Sequence, residues 1–157
     1  MAVTATPIFP QTPNVGIMNA VISTAMTNTK AFDGTEAAGT AMAECFTAGA
    51  NGARVDAVTV RYTSTNGATA SGTTSASVMR FWINNGSANT TATNNQFLGE
   101  ISLPAQAVTA LATGTMPEYT LIIGKSIPAG YKIYAGLTVA IGGTNCAVIP
   151  CVSGGDY

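Results

Sequence analysis

Histidine is absent from this sequence, and charge is scarce, with six basic and seven acidic residues among 157. Enzymes that pair a nucleophile with a base near neutral pH most often use histidine as that base. Nucleic-acid binding needs clustered lysine and arginine, whereas here the basic residues are scattered and the formal net charge is −1. We therefore expect neither an enzyme nor a nucleic-acid-binding protein.

One carboxylate arrangement stays open at this level. A glycosidase needs two carboxylates facing each other across about 5 to 9.5 Å. Asp56 and Glu100 lie on separate predicted strands, and sequence by itself does not say whether they face each other. The simpler interpretation is that both are solvated or paired surface residues.

The three cysteines, Cys45, Cys146 and Cys151, lack the short spacing of a zinc site. Glycine-rich stretches match no nucleotide-binding motif, so we expect no metal and no cofactor. The lack of a disulfide framework suits a reducing cytoplasm. We see no signal-peptide pattern and no run of 18 apolar residues, and we expect no membrane partner.

What the chain does contain is typical of a single all-β domain. It has 26 alanines, 24 threonines, 17 glycines and 11 asparagines, and its apolar residues are largely β-branched. Alternating patterns between Gly, Asn and Pro turns predict a two-sheet antiparallel sandwich, or jelly roll, of about eight strands. The predicted strands are 15–29, 40–48, 54–64, 77–85, 96–104, 118–124, 131–141 and 146–153.

Three connections carry more specific expectations. Asn51-Gly52 is a strong hairpin signal, because both residues accept positive φ. The segment 105–117 has some helical character, but its threonines and lack of caps favour an irregular connection. Pro150 interrupts the last strand, which predicts an edge position or a bulge there.

The N-terminus is predicted to be an extended arm, residues 1–14, that precedes a single domain at 15–157. Prolines spaced three apart in an uncharged stretch prevent a helix and keep a segment extended. Such a segment can dock on another sheet or add to its edge. The candidate contact residues are Pro7, Ile8, Phe9, Pro10 and Pro13.

A second candidate surface lies on the predicted strand 77–85. Arg80 and Trp82 share one face of that strand, and Tyr134 lies opposite the row of Ile133 and Leu137 on another. Exposed together, these side chains would form a platform suited to a protein interface or to stacking on a sugar. The alternative is that this face is covered and Trp82 belongs to the core.

Three stretches together resemble the jelly-roll head-decoration, or cement, proteins of tailed bacteriophages. They are ATPIFPQTPNVGI, FTAGANGARVDAVTVRYTST and the ending IPAGYKIYAGLTV with AVIPCVSGGDY. The resemblance implies a β-sandwich made in the host bacterial cytoplasm and bound to the outer capsid surface of the virion. Its partners would be the major capsid protein and itself, as a homodimer or homotrimer that bridges capsid subunits. It implies no catalytic residues.

Other classes remain open. One is a carbohydrate- or receptor-binding module of a phage tail fibre or spike. Another is a jelly-roll coat subunit, although scattered basic residues argue against a surface that faces a genome. A small hydrolase that uses only carboxylates is the most remote of these alternatives.

Overall fold

A computed structural model describes residues 9–17, 21–27, 33–36, 42–65 and 67–157. Within these residues the chain forms eight strands, one short α-helix and a single 3-10 turn. The elements are β1 (Thr12–Ile17), β2 (Met42–Thr47), β3 (Ala53–Ser64), β4 (Ser77–Asn84), the 3-10 turn (Ala92–Asn94), β5 (Asn95–Leu103), α1 (Val108–Thr113), β6 (Glu118–Ile127), β7 (Lys132–Leu137) and β8 (Cys146–Asp156).

The strands form two antiparallel sheets of four. The first sheet has the order β1-β8-β3-β6, and the second has the order β2-β7-β4-β5. Strand pairs are therefore 1 with 8, 2 with 7, 3 with 6 and 4 with 5, which is the nested pairing of an eight-stranded jelly roll. The predicted all-β sandwich is confirmed.

The main core lies between the two sheets. Its fully buried side chains come from alternate positions of facing strands, as the two-residue period of a strand requires. Val58 and Val60 of the first sheet and Phe81 and Leu137 of the second have no exposed side-chain surface. Sheet-on-sheet burial of this kind is the main stabilising contribution of the fold.

The predicted strand 15–29 is interrupted. β1 ends at Ile17, and residues 21–27 cross from the first sheet to the second. Ile22 forms an antiparallel bridge to Val148 of the first sheet, and Ala25 forms a parallel bridge to Leu137 of the second. Each bridge hydrogen-bonds the backbone as a strand does, which agrees with the β-branched sequence of this segment. One regular strand, however, cannot belong to both sheets.

The predicted hairpin at Asn51-Gly52 is wrong. A turn is present, since the Gly52 amide donates to the Gly49 carbonyl oxygen at 3.1 Å. Gly52 has φ +89, but Asn51 does not have a positive φ, and a two-residue type I′ hairpin needs both. β2 and β3 consequently enter different sheets.

Pro150 lies inside a central strand and in regular register with β3, at neither the sheet edge nor the bulge that were predicted. β8 pairs with β3 along its length, and Pro150 lies opposite Val60. On the other side, pairing with β1 stops at Cys151, and the next contact is the bridge from Ile22 to Val148. The proline thus occupies a gap in the neighbouring strand, where its missing N–H leaves no ladder bond unmade.

The segment 105–117 contains a helix that the sequence prediction did not include. α1 has six residues, has no side-chain cap and buries none of its residues. The Gly114 amide closes its last turn on the Ala110 carbonyl oxygen at 3.0 Å. So short a helix is held by its attachment to the sandwich, because isolated helices of this length are not stable.

Candidate functional site

The predicted platform of Arg80, Trp82 and Tyr134 is not exposed. Trp82 is 1% exposed and Tyr134 is 7% exposed, and both belong to a small cluster with Met26 and Met42. This cluster lies on the outer face of the second sheet, where register places Trp82 directly opposite Tyr134. Trp82 is therefore a core residue, as the alternative interpretation of the sequence predicted. The core to which it belongs is a second one, on the outer face of the second sheet and not between the two sheets.

A turn from the β1–β2 connection covers this second core. Gly34 has φ +67 and lies against the indole, such that an added Cβ would meet Cγ of Trp82 at 2.7 Å. The Asp33 carboxylate accepts hydrogen bonds from both the amide and the hydroxyl of Thr35, which fixes the turn. The Asp33-Gly34 turn thus covers the indole of Trp82 on the outer face of the second sheet.

A polar cluster borders the second core. The Lys132 ammonium donates to Glu44 Oε2 at 2.8 Å, and Tyr134 OH donates to the same oxygen at 3.4 Å. Partial burial raises the pKa of Glu44, but hydrogen bonds from Lys132 and Thr47 and the charge of Lys132 outweigh it. The net effect holds the pKa of Glu44 below its ordinary value.

We expect this cluster to make stability depend on pH in one direction. Because the native pKa of Glu44 is depressed, its contribution is complete above the unfolded value of about 4.3 and is lost as pH falls through the native pKa. The effect should stay below about 1 kcal/mol, because about a third of each side chain in the pair is exposed to solvent. Urea unfolding of wild type and Glu44→Gln across acidic pH tests this. A constant difference between the two proteins would contradict it.

The outer face of the first sheet, in contrast, is open to solvent. Register aligns Val15, Ser153, Ala57 and Ile122 in one row across all four strands. Ile122 is 76% exposed and Val15 is 57% exposed. We call this surface the first-sheet face, and its members are Val15, Ala57, Thr59, Thr120, Ile122, Ile149, Cys151 and Ser153.

Charges occur only at the borders of the first-sheet face. Arg54 pairs with Asp56 at 2.7 Å on one side, and Arg61 pairs with Glu118 on the other. Each pair is self-neutralising, so the face itself carries no charge. An uncharged surface with exposed apolar side chains, framed by ion pairs, is typical of an interaction site.

Sequence reasoning missed this surface, although a signal was present. Leu121, Ile122 and Ile123 are three consecutive apolar residues in a strand whose side chains alternate between faces. Leu121 and Ile123 pack on the main core, so Ile122 must point outward. A break in alternation of this kind identifies an exposed apolar position.

The predicted arm meets the sandwich at the edge of the first-sheet face. Thr12–Ile17 form β1, and Pro13 pairs with Gly155, so the sheet begins inside the predicted arm 1–14. Pro13 is tolerated because β1 is an edge strand. Pro10 packs against Gly155, where an added Cβ would lie 2.7 Å from the proline Cβ. Phe9 is 68% exposed, and Pro7 and Ile8 lie outside the described residues.

The sandwich also has an apolar cavity of about 340 Å³ at one end. Its walls come from the last residues of β3, the start of β8, the β3–β4 connection, and α1 with the residues after it. They are Tyr62, Thr63, Ser64, Ala70, Thr74, Val108, Leu111, Ala112, Met116 and Cys146. No residue of the lining is charged.

The other candidate residues do not form a reactive site. Asp56 and Glu100 lie on different sheets and point to solvent on opposite sides of the sandwich, so more than the roughly 10 Å between packed sheets separates them. Glu100 pairs instead with Arg80 at 3.2 Å. Burial raises the pKa of the Cys45 thiol, which donates to the Ile133 carbonyl oxygen at 3.3 Å.

Comparison with protein-family models, curated proteins and solved structures found no match to this chain. Within the described residues, no three His, Cys, Asp or Glu side chains lie together as metal ligands would. In the same part of the chain, no helix has the length and apolar character needed to cross a membrane. The first-sheet face and the arm beside it are therefore the features from which a function can be argued.

Proposed function

We propose that this protein is a structural capsid-decoration protein that binds the outside of a phage head and bridges its subunits. The first-sheet face and the N-terminal arm would form the contact, with the major capsid protein and a sister subunit as partners. The uncharged, exposed face that continues into the arm at β1 is the observation that carries the proposal. The resemblance described above supports the same assignment.

The first-sheet face has the dimensions of a small protein interface. Four strands about 4.8 Å apart, each contributing about 26 Å of length, give a projected area of about 500 Å². A stable protein interface buries about 800 Å² on each partner. The eleven residues before Thr12 lead directly into β1, the edge strand of this face, and would enlarge the contact.

Weak individual contacts suffice for such a protein. An oligomer that bridges several capsid subunits gains avidity, because each further contact forms at high effective concentration. The scarcity of charge also favours self-association, since near-neutral proteins repel one another little. A homodimer or homotrimer with modest contacts would therefore remain bound to a shell.

The first test is the solution mass of the purified protein by light scattering, followed by co-sedimentation with purified empty capsids. We expect a discrete dimer or trimer that sediments with the shells. A monomer that ignores capsids would contradict the proposal and favour a receptor-binding module. Closed shells formed by this protein alone would instead indicate a coat subunit.

Removal of the arm is a second test. Deleting residues 2–10 leaves β1 intact, together with the bond from the Gln11 amide to the Asp156 carbonyl oxygen at 2.7 Å. We expect an unchanged unfolding midpoint and shell binding weakened about tenfold or more, as for the loss of one contact in a multivalent complex. Undiminished co-sedimentation of the truncated protein would contradict a docking role for the arm.

A further inference from the structure

The apolar cavity at one end of the sandwich is suited to an apolar occupant, because most of its lining is apolar and the side chains of Tyr62, Thr74 and Cys146 already have polar partners. Tyr62 OH donates to the Pro104 carbonyl oxygen at 2.5 Å, and Thr74 Oγ1 accepts from the Gln106 amide at 2.8 Å. The Cys146 thiol faces the carbonyl oxygens of Ser71 and Thr144. The remaining lining is mostly aliphatic and includes Met116, which is 48% exposed.

The volume fits an aromatic ring. An apolar cavity of about 150 Å³ is large enough to bind benzene. The cavity here, at about 340 Å³, has room for a phenyl ring and part of a neighbouring residue. A group with a large apolar area and few rotatable bonds would gain the most binding free energy from an open apolar cavity of this size.

Phe9 is such a group, and it is exposed. Its ring is 68% accessible, and it precedes Pro10, which is packed on Gly155 and limits how far Phe9 can move. The first sixteen residues carry no charged side chain, which matches the uncharged lining of the cavity. A proline-restricted segment also loses little conformational entropy when it docks.

Phe9 cannot occupy the cavity of its own chain. Thr12 and Ala53 both pair with Asp156 at one end of the first sheet, whereas Ser64 pairs with Cys146 at the other. The twelve residues of β3 separate these ends by about 36 to 40 Å. Phe9 is three residues from Thr12 and reaches only about 10 Å from it.

We propose that Phe9 of one copy inserts into the cavity of a second copy. This inference rests on the proposed function and names the sister-subunit contact within it. Two antiparallel copies could exchange the contact reciprocally as a dimer, and three copies could close it as a ring. Either arrangement joins opposite ends of neighbouring sandwiches and leaves the first-sheet face free for the capsid.

Two variants separate the two halves of the contact. Phe9→Ala removes the ring and keeps the cavity, whereas Ala112→Trp fills the cavity and keeps the ring. Ala110→Trp is the matched control, because Ala110 is exposed on the same helix and is not part of the lining. We expect Phe9→Ala and Ala112→Trp to weaken self-association about 30-fold or more, as for interface hot spots, and Ala110→Trp to leave it unchanged.

Mixing the two defective variants is the decisive experiment. Phe9→Ala offers an open cavity and Ala112→Trp offers an intact ring, so an equimolar mixture restores one of the two contacts and should associate more strongly in sedimentation velocity than either variant does alone. Wild-type association of either variant, or a mixture that stays monomeric while both proteins are folded, would overturn the inference.

The outcome is separable from that of the proposed function. If Phe9→Ala is monomeric and still binds shells through the first-sheet face at high concentration, both proposals stand. If it associates as wild type and still binds shells, only the sister-subunit contact fails. If wild type forms the contact and ignores shells, only the capsid assignment fails.

Discussion

Replacing Trp82 by alanine is expected to destabilise the protein by about 3 to 5 kcal/mol, the range observed when a buried aromatic residue is truncated. The indole is fully enclosed between the outer face of the second sheet and the turn at Gly34. Its loss leaves a cavity in a cluster with few other members, Met26, Met42 and Tyr134. The turn would then have little to pack against, so the covering segment should detach as well.

Urea unfolding followed by circular dichroism measures this loss. Trp82→Phe keeps most of the buried ring and should lose clearly less. Phe97→Ala is a second comparison, because Phe97 contacts Trp82 edge to face at 6.2 Å but is 37% exposed. A loss below about 1 kcal/mol for Trp82→Ala would show that the second core contributes little to stability.

The same burial predicts a spectroscopic result for the wild type. Trp82 is the sole tryptophan, so emission reports on this cluster alone. We expect blue-shifted emission, weak quenching by acrylamide and no change on titration with sugars. Sugar-dependent quenching would revive the carbohydrate-binding alternative, which needs an accessible ring.

Replacing Ile122 by glutamate is expected to abolish shell binding and leave the fold intact. Ile122 is 76% exposed, so the change should alter the free energy of unfolding by no more than about 0.5 kcal/mol. An uncompensated charge buried in an interface costs about 3 to 5 kcal/mol. At 1.4 kcal/mol for each factor of ten, shell affinity should fall more than about 100-fold.

Ser102→Glu is the matched control, because Ser102 is also exposed in a strand but belongs to the second sheet. It introduces the same charge and should sediment with capsids as wild type does. Equal loss in both variants would indicate a general effect of charge. Retained shell binding by Ile122→Glu would contradict the role of the first-sheet face. The Ile122→Glu substitution should leave self-association through Phe9 unchanged, whatever its effect on shell binding.

The sequence predicted one of the two candidate surfaces in part and did not predict the other. Proline spacing identified the N-terminal segment as unusual, and Pro10 does pack at the edge of the sandwich, against Gly155. The predicted arm, 1–14, overlaps the start of β1 at Thr12. Pro13 is compatible with an edge strand, so the last of the three prolines did not indicate where the strand begins. The first-sheet face was not predicted, since neighbouring positions such as Val15 and Ile122 are far apart in sequence and meet only through strand register.

By itself the sequence determined the class of fold and most strand positions. A two-residue apolar period shows directly which residues share a face, as at Val58, Val60 and Tyr62, and Gly, Asn and Pro mark where strands end. It also determined the low charge and the absence of histidine, which limit the available chemistry. These are local or compositional properties, and they do not depend on which strand pairs with which.

Only the tertiary structure decided the pairing and the burial of each face. Asn51-Gly52 has hairpin chemistry, yet β2 pairs with β7 because the jelly roll places β2 and β3 in different sheets. Alternation assigned Trp82 to one of two faces but could not say that Gly34, almost fifty residues earlier, covers it. Whether a side chain is buried depends on what packs against its face of the sheet. The covering residue is distant in sequence, so only the tertiary fold brings it there.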